Sequence, residues 1–405
     1  MDYTNKNRNE LVLLCKEKKI KGYSTKKKDE LIKLLESSTT QITQTTQATQ
    51  ATQATIELPK KIYRLNYIGS KFQLLDWLTT TIKEKTGWTS FANKRVADLF
   101  AGTGIISYHF RENKATVFSN DAELYSSIIT HAFTRSIYTQ KCKITLELLQ
   151  TELLEKKHLT TAGFVTTQYS PHNGNERKFF TVENARGIDY IRARIETLKA
   201  ELTNDEYKFI LASLLISADA VSNVPAVYGC FLKNFKTKAI KLLKLNPIHT
   251  IEENSSSESN TTNSDVLSAI FPETDFVYLD PPYNERQYSK NYFPLNIIAK
   301  TPEQLLSEEA LKGKTGIPSD CFISPFCKRG KTVENAFDTL FKNLKTKWIF
   351  MSYNSESIVS KDKILELMGK YGTASVVEKE YKRFKSFEYN KDIDIKEYLF
   401  CLKKT

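Results

Sequence analysis

The segment FVYLDPPY at residues 276–283 joins a strand pattern to residues that could do chemistry. Residues 276–279 are apolar, and proline cannot continue a central strand because it lacks an N–H. The chain must therefore leave the sheet at Asp280. Open α/β sheets bind their ligands at this carboxyl edge. The predicted catalytic residues are Asp280, Pro281, Pro282 and Tyr283.

This turn is suited to an exocyclic amine on a nucleobase. Such a nitrogen is a poor nucleophile because its lone pair is delocalised into the ring. The Asp280 carboxylate and the Pro281 carbonyl, both aimed at the amine hydrogens, would stabilise the positive charge that develops on the nitrogen. Tyr283 offers a flat face on which an extruded base can stack. The turn therefore predicts group transfer to a nucleobase amine.

A glycine turn lies earlier in the chain, within KRVADLFAGTGIISYHF. We expect a strand at 96–100, a turn at Gly102 and Gly104, then a helix, and a second strand that ends at Asp121. Ser107 occupies the third position of a dinucleotide GxGxxG fingerprint, and no Walker loop is present. The turn suits a ligand without a pyrophosphate, with an acid placed for ribose hydroxyls. S-adenosylmethionine (SAM) fits this description, while a tight turn in another α/β protein is the alternative.

Three ordered motifs then carry a family resemblance: NYIGSK at 66–71, FAGTG at 100–104 and DPPY at 280–283. Together they resemble the D12 class of amino-directed DNA methyltransferases, the adenine-N6 group of Dam-like and restriction-modification enzymes. The longer run DPPYNERQYSKNYFPLNIIA strengthens the similarity to restriction-modification members. The resemblance spans roughly residues 60–405. It implies an α/β fold, with the Rossmann-like doubly wound sheet of SAM-dependent methyltransferases.

The resemblance also implies roles for matching positions. Asp121 would hold the ribose of the cofactor, and Asp280 would serve the base and the methionyl end of the site. Asp98 and Asp265 are weaker candidates, for which a helix cap or a surface turn is the alternative. The predicted cofactor-binding residues are Tyr67, Lys71, Asp98, Phe100, Gly102, Gly104, Asp121 and Asp265.

Composition narrows the function classes. The 405 residues carry a formal net charge of +12, which favours a polyanionic partner, although a lysine-rich solvated surface is the alternative. The six cysteines lack the spacing of a zinc site, so we expect free thiols and no metal. The absence of a Pro-Cys dipeptide argues against cytosine-C5 methylation, and no convincing nuclease motif is present. No apolar run approaches the ~20 residues of a membrane span.

The chain is predicted to contain two folded parts. Residues 37–56 are rich in Gln and Thr and predict a disordered linker between a unit at 1–36 and a methyltransferase domain at 57–405. Residues 11–35 resemble the SAP family of helical DNA-binding modules. Its predicted phosphate contacts are Lys26, Lys27 and Lys28, although these lysines could simply keep a small domain soluble.

A target-recognition insertion is expected at roughly 135–247, because the distance from Asp121 to Asp280 exceeds what a minimal fold needs. Two stretches, 171–194 and 223–238, mix aromatic and basic residues. The alternative is that the aromatic residues are core and the charges are solvated. The predicted DNA contacts of the main domain are Arg177, Arg186, Lys233 and Arg286.

These features predict a cytoplasmic, bacterial or phage-encoded enzyme that transfers methyl groups from SAM to a flipped adenine N6 in double-stranded DNA. The resemblance implies the modification enzyme of a type II restriction-modification system, whose restriction endonuclease would be encoded nearby. Cytosine-N4 methylation is the closest alternative, since the same acceptors serve either amine. A non-catalytic DNA-binding protein and an RNA methyltransferase are the further alternatives.

Overall fold

The computed structural model describes residues 6–17, 23, 26–33, 35, 61–253, 258–308, 310–381 and 395–405. The chain forms two compact units, Met1–Pro59 and Lys60–Thr405. Residues 37–56, predicted to be a linker, lie outside the described residues. No helix among those described is long and apolar enough to cross a membrane.

The first unit contains two helices. Helix α1 spans Arg8–Glu17, and helix α2 is described over residues 28–33 and 35. Apolar residues at helical spacing form its small core, in which Leu11, Cys15, Leu31 and Leu35 are buried. Lys27 and Lys28 are exposed where α2 begins. The helical pattern predicted from the sequence is therefore present, with the two lysines accessible at a helix N-terminus.

The second unit is built on one seven-stranded sheet in the order β3-β2-β1-β4-β5-β7-β6. Neighbouring strands are parallel, except that β7 runs antiparallel to both β5 and β6. The strands are β1 (Arg95–Asp98), β2 (Thr116–Asp121), β3 (Asn260–Asn263), β4 (Thr274–Leu279), β5 (Thr346–Asn354), β6 (Gly372–Tyr381) and β7 (Ile395–Lys404). From β1 the strand order runs outward to β2 and β3 on one side, and from β4 it runs outward to β5 on the other side. Open α/β sheets bind their ligands at such a change of direction, which here lies between β1 and β4.

Helices cover both faces of the sheet. They are α3 (Leu75–Thr86), α4 (Ile105–Glu112), α5 (Leu124–Thr134), α6 (Gln140–Leu154), α7 (Phe164–Tyr169), α8 (Val182–Leu198), α9 (Asn204–Ala220), α10 (Tyr288–Ala299), α11 (Pro302–Leu306), α12 (Lys331–Asn343) and α13 (Lys361–Gly369). Four of them, α6 to α9, occupy the segment predicted to be an insertion.

Side chains along the central strands point alternately to the two faces of the sheet, and each face has its own hydrophobic core. Val96 and Phe276 face the larger core, which contains residues of α3 to α10, whereas Ala97 and Val277 face a second core with α12 and α13. Because side chains of a strand point alternately to either face, an apolar run at both parities indicates a sheet buried on both sides. The fold is thus the doubly wound α/β sheet expected from the sequence.

Strand ends decide where the site lies. Strand β4 ends at Leu279 and the chain leaves the sheet at Asp280, as predicted. Strand β1 ends at Asp98, so the predicted extension to residue 100 is wrong. Beyond Asp98 the Ala101 amide donates to the Asn120 carbonyl at 3.0 Å, and the chain bends over the end of β2.

Candidate active site

A cavity of about 960 Å³, including its space open to solvent, lies at the carboxyl ends of β1, β2 and β4. It brings together residues from all three motifs. Most predicted catalytic and cofactor residues line it, namely Tyr67, Lys71, Phe100, Gly102, Asp121, Asp265, Asp280, Pro281, Pro282 and Tyr283. Asp98 and Gly104 lie outside this lining.

The glycine turn is held in place by the end of the neighbouring strand. The Gly102 amide donates to Asp121 Oδ2 at 2.7 Å, and the Glu123 amide donates to Asp121 Oδ1 at 2.9 Å. Gly102 has a φ of 52°, and a Cβ there would meet the Tyr67 ring at 3.2 Å. The second position of the NYIGSK motif therefore packs directly on the turn. Asp121 fixes this turn while still facing the cavity.

Asp98 lies behind the turn rather than in the cavity wall. It is buried, and Ser107 donates to its Oδ2 at 2.6 Å while also bonding Ser119 at 2.9 Å. Its other oxygen, Oδ1, is buried without a hydrogen-bond partner among the described residues. Burial raises the pKa of Asp98 to about 7. Ser107, at the third fingerprint position, thus binds a buried carboxylate where a dinucleotide fold would have glycine.

Gly104 precedes α4 with a φ of 73°. A Cβ at this position would come within 2.9 Å of Thr130 Oγ1 and 3.1 Å of Thr130 Cα. The backbone of α5 therefore packs too closely for a side chain here. Gly104 shapes the turn from behind without lining the cavity.

The DPPY turn meets the NYIGSK segment through an ion pair. Lys71 Nζ lies 2.9 Å from Asp280 Oδ1 and also donates to the Gly69 carbonyl at 3.0 Å. The Lys71 ammonium lies 4.7 Å from the centroid of the Tyr283 ring. The Tyr283 carbonyl accepts from the Ile358 amide at 3.0 Å, which ties the turn to the loop after β5.

Acidic groups dominate the cavity. Among its described lining residues Lys71 is the only Lys or Arg, whereas Asp121, Glu123, Asp265 and Asp280 are acids. Burial raises the pKa values of Asp121 and Asp280, and the Lys71 ammonium opposes the rise at Asp280. Burial also raises the pKa of Glu123 to about 7. This excess of acids suits a cationic ligand.

Tyr67 lines the cavity and belongs to a cluster of aromatic rings. Its ring stacks on Tyr292 with centroids 4.5 Å apart and on Tyr288 at 5.6 Å. The backbone before it is also fixed, because the Asn66 amide donates to the buried carboxylate of Asp219 at 2.9 Å. These contacts hold the NYIGSK segment over the sheet edge.

The candidate DNA contacts lie in different environments. Arg177 is buried, and its guanidinium donates to the carbonyls of Leu311 at 2.7 Å and Gly313 at 2.9 Å. These bonds join two loops, so Arg177 has a structural position. Arg186 is half-buried on α8, with its Nε buried and unbonded among the described residues, whereas Lys233 and Arg286 are exposed.

Several lining residues were not predicted from the sequence, including Glu123, Gln287, Tyr288, Phe322, Ser324 and Phe326. Glu397 was also missed. It is 5% exposed on β7, and the Tyr283 hydroxyl donates to its Oε1 at 2.7 Å. The signal was present, because a glutamate at an inward position of the apolar run EYLFCL is unusual for a buried strand.

Comparison with known proteins agrees with the three motifs. Residues 67–367 match the family described as D12 class N6 adenine-specific DNA methyltransferase. The chain is 40% identical to the type II methyltransferase M.CviAII of Paramecium bursaria Chlorella virus 1, over 83% of this chain and 98% of that protein. It is 37% identical to the type II methyltransferase M.NlaIII of Neisseria lactamica, over 84% of this chain and 100% of that protein.

A longer relative extends the comparison. The type II methyltransferase M.FokI of Planomicrobium okeanokoites is 33% identical over 84% of this chain but only 53% of its own length. M.FokI is therefore longer than the region that it shares with this chain. With the site geometry and the extent of these matches, the chain belongs to the D12 class of N6 adenine-specific DNA methyltransferases.

Proposed function

We propose that this enzyme binds SAM in the cavity at the sheet edge and uses the DPPY turn to methylate a flipped adenine at a specific duplex DNA site. The position of Asp280 carries the proposal. Asp280 lines the same cavity as the glycine turn and Tyr283. Both reactants would therefore meet at one carboxylate.

The donor set fits SAM. The cofactor carries a sulfonium and an ammonium, and the cavity is rich in acids with a single lysine among its described lining residues. Asp121 at the end of β2 would bind the ribose, Asp265 would face the adenine end, and Phe100 and Gly102 would form the floor. When bound, SAM supplies a methyl group on a sulfonium, which is a strong electrophile. The chain's own contribution is to position the acceptor amine.

The DPPY turn would do this positioning. The Asp280 carboxylate and the Pro281 carbonyl would accept the two N6 hydrogens and favour the charge that develops on nitrogen during attack. Tyr283 would stack on the extruded adenine. The two prolines restrict the backbone between these groups. The turn would thus act by alignment and electrostatics rather than through a covalent intermediate.

Exposed basic residues would bind the DNA backbone. Arg286 follows the DPPY turn by three residues and is exposed, and Lys233 is exposed in the inserted segment. Arg186 is a further candidate on α8. The bonds of Arg177 to two loop carbonyls occupy its guanidinium, so it is left out of this surface.

The unit Met1–Pro59 would act as an auxiliary DNA clamp. Its two helices and the exposed Lys27 and Lys28 support this SAP-like role. A helix N-terminus with adjacent lysines is suited to phosphate groups. Lys26 would contribute to the same basic site.

The relatives support a role in a restriction-modification system. M.CviAII and M.NlaIII are both described as type II methyltransferases and match along almost their whole length. We propose that this enzyme protects DNA of its own cell or phage against a cognate endonuclease encoded nearby. In such a role the enzyme would act in the cytoplasm, where that DNA lies.

Transfer of labelled methyl from SAM to mixed duplex DNA tests the proposal. The product DNA is digested to nucleosides and the labelled species identified. We expect label in N6-methyldeoxyadenosine. Label in N4-methyldeoxycytidine would change the substrate and keep the mechanism, whereas no transfer to DNA would point to RNA or to a non-catalytic protein.

A further inference from the structure

Glu397 contacts two residues of the cavity lining, Lys71 and Tyr283, from a strand that carries none of the three motifs. It is on β7, the strand inserted between β5 and β6, and only 5% of its surface is exposed. The segment that matches the D12 family ends at residue 367, so Glu397 lies outside the matched positions. A buried carboxylate costs free energy unless it is paired, so the partners of Glu397 matter.

The partners of Glu397 are two residues of the catalytic machinery. The Tyr283 hydroxyl donates to Glu397 Oε1 at 2.7 Å, and Lys71 Nζ lies 3.7 Å from the same oxygen. Lys71 also lies 2.9 Å from Asp280. Burial raises the pKa of Glu397, whereas the Lys71 ammonium and the Tyr283 hydrogen bond favour its ionised form. One ammonium therefore lies between two carboxylates.

The charge balance of this trio matters for the reaction. Lys71 and Asp280 alone would form a neutral pair, and an acceptor neutralised in this way stabilises a developing positive charge poorly. With Glu397 present, the three groups keep a net negative charge. Because Lys71 is shared between the two carboxylates, Asp280 is a stronger acceptor for a reacting amine than it would be in a neutral pair with Lys71.

We propose that Glu397 is a positioning residue that shares the Lys71 ammonium with Asp280, so that Asp280 keeps its negative charge toward the reacting amine. It also fixes the Tyr283 ring through the hydroxyl. This inference rests on the catalytic role proposed above for Asp280. It assigns to the last strand of the fold a part in methyl transfer.

Glu397→Gln separates charge from shape. Glutamine has nearly the same size and still offers an oxygen to the Tyr283 hydroxyl, but it carries no charge. Single-turnover methyl transfer at saturating SAM and DNA should fall at least about tenfold. The dissociation constants for SAM and DNA should stay within about threefold of the wild-type values, because Glu397 is proposed to act in the transition state rather than in ground-state binding.

A compensating change gives the decisive readout. Adding Lys71→Met to Glu397→Gln removes the ammonium together with the second carboxylate. Asp280 is then the remaining charged group of the three, and their net charge is negative again. At SAM and DNA concentrations that saturate each variant, the double variant should transfer methyl faster than Glu397→Gln alone. A purely structural role for Glu397 predicts instead that the two losses multiply. A double variant that is slower than Glu397→Gln with SAM and DNA both saturating would overturn the inference.

Controls keep the test specific. Glu378→Gln is the matched control, since Glu378 is on β6 in the same sheet and pairs with Lys361 and Lys396 away from the cavity. It should keep the wild-type rate. Thermal unfolding and SAM binding show whether each variant folds. If Glu397→Gln does not fold, Glu397→Asp replaces it and must stay within about tenfold of wild type, because it keeps the charge.

The outcomes separate this inference from the proposed function. Wild-type transfer to adenine with an unchanged rate in Glu397→Gln would overturn the inference alone. A wild-type protein without transfer to adenine would overturn the proposed function and the inference with it. A slow Glu397→Gln that is accelerated by Lys71→Met would support both.

Discussion

The Lys71 ammonium lies 2.9 Å from the Asp280 carboxylate, although the two residues are far apart in sequence. This contact joins the NYIGSK segment to the DPPY turn, and the glycine turn between them in sequence lines the same cavity. A methyl donor and an acceptor amine would therefore be aligned by three segments on one sheet edge. The consequences can be tested residue by residue.

The glycine turn tolerates no side chain at Gly104. Gly104→Ala would place a Cβ 2.9 Å from Thr130 in a backbone with a φ of 73°. We expect the free energy of unfolding to fall by about 2 to 4 kcal/mol. Gly87→Ala is the matched control, because Gly87 has a φ of 74° with nothing within 4 Å. It should lose only about 1 kcal/mol. Equal losses in chemical denaturation would contradict the packing account.

Asp98 should make stability depend on pH. Its pKa of about 7 lies above the ordinary value of 3.8 because it is buried. Between these two values the folded protein holds a proton that the unfolded chain releases. The free energy of unfolding should therefore fall as pH rises through this range and level off above pH 7. Asp98→Asn removes the titration, so its thermal midpoint should depend less on pH than that of wild type.

Glu123 provides the comparison for that experiment. Its pKa is also about 7, so some pH dependence of the same sign should survive in Asp98→Asn. Parallel curves for wild type and variant between pH 5 and pH 7 would show that Asp98 does not titrate there.

Arg286 should contribute to DNA affinity through phosphate contact. Arg286→Ala is expected to weaken binding several-fold and to reduce the slope of log affinity against log salt by about one. Lys347→Ala is the control, because Lys347 is exposed at the amino end of β5, whereas the site lies at the carboxyl ends of the parallel strands. A DNA titration at several salt concentrations measures both. Equal slopes in wild type and Arg286→Ala would remove Arg286 from the interface.

The N-terminal unit should raise affinity without affecting the chemistry. Removing residues 1–55 is expected to weaken DNA binding, because the basic helical unit is lost. Single-turnover transfer on saturating DNA should remain close to that of the full chain. A collapse of that rate, with the truncated protein still folded, would contradict the clamp role.

The motifs were readable from the sequence because each depends on local chemistry. Proline ends β4 at a known residue, and glycine marks the turn after β1, so Asp280 and Gly102 could be placed at one sheet edge before the structure was known. Residues that reach the site through tertiary contacts could not be placed. Glu397 enters from β7, and its role depends on pairing between strands that the sequence does not reveal.

Charge alone does not predict which arginine side chains are accessible. Arg177 and Arg286 have the same side chain, yet one is buried against loop carbonyls and the other is exposed. Arginine can satisfy several backbone acceptors at once, so a basic residue within an aromatic stretch is compatible with a core position. Only the tertiary contacts of each side chain separate these cases, as the bonds of Arg177 to loop carbonyls show.

Asp280 is proposed to direct methyl transfer to an adenine amine. Labelled methyl transfer from SAM to duplex DNA should be compared for wild type, Asp280→Ala and the control Asp275→Ala, which lies near the other end of the same strand. We expect label in N6-methyldeoxyadenosine for wild type and the control, and a loss of at least about a hundredfold for Asp280→Ala at saturating SAM. Undiminished transfer by Asp280→Ala would contradict the account.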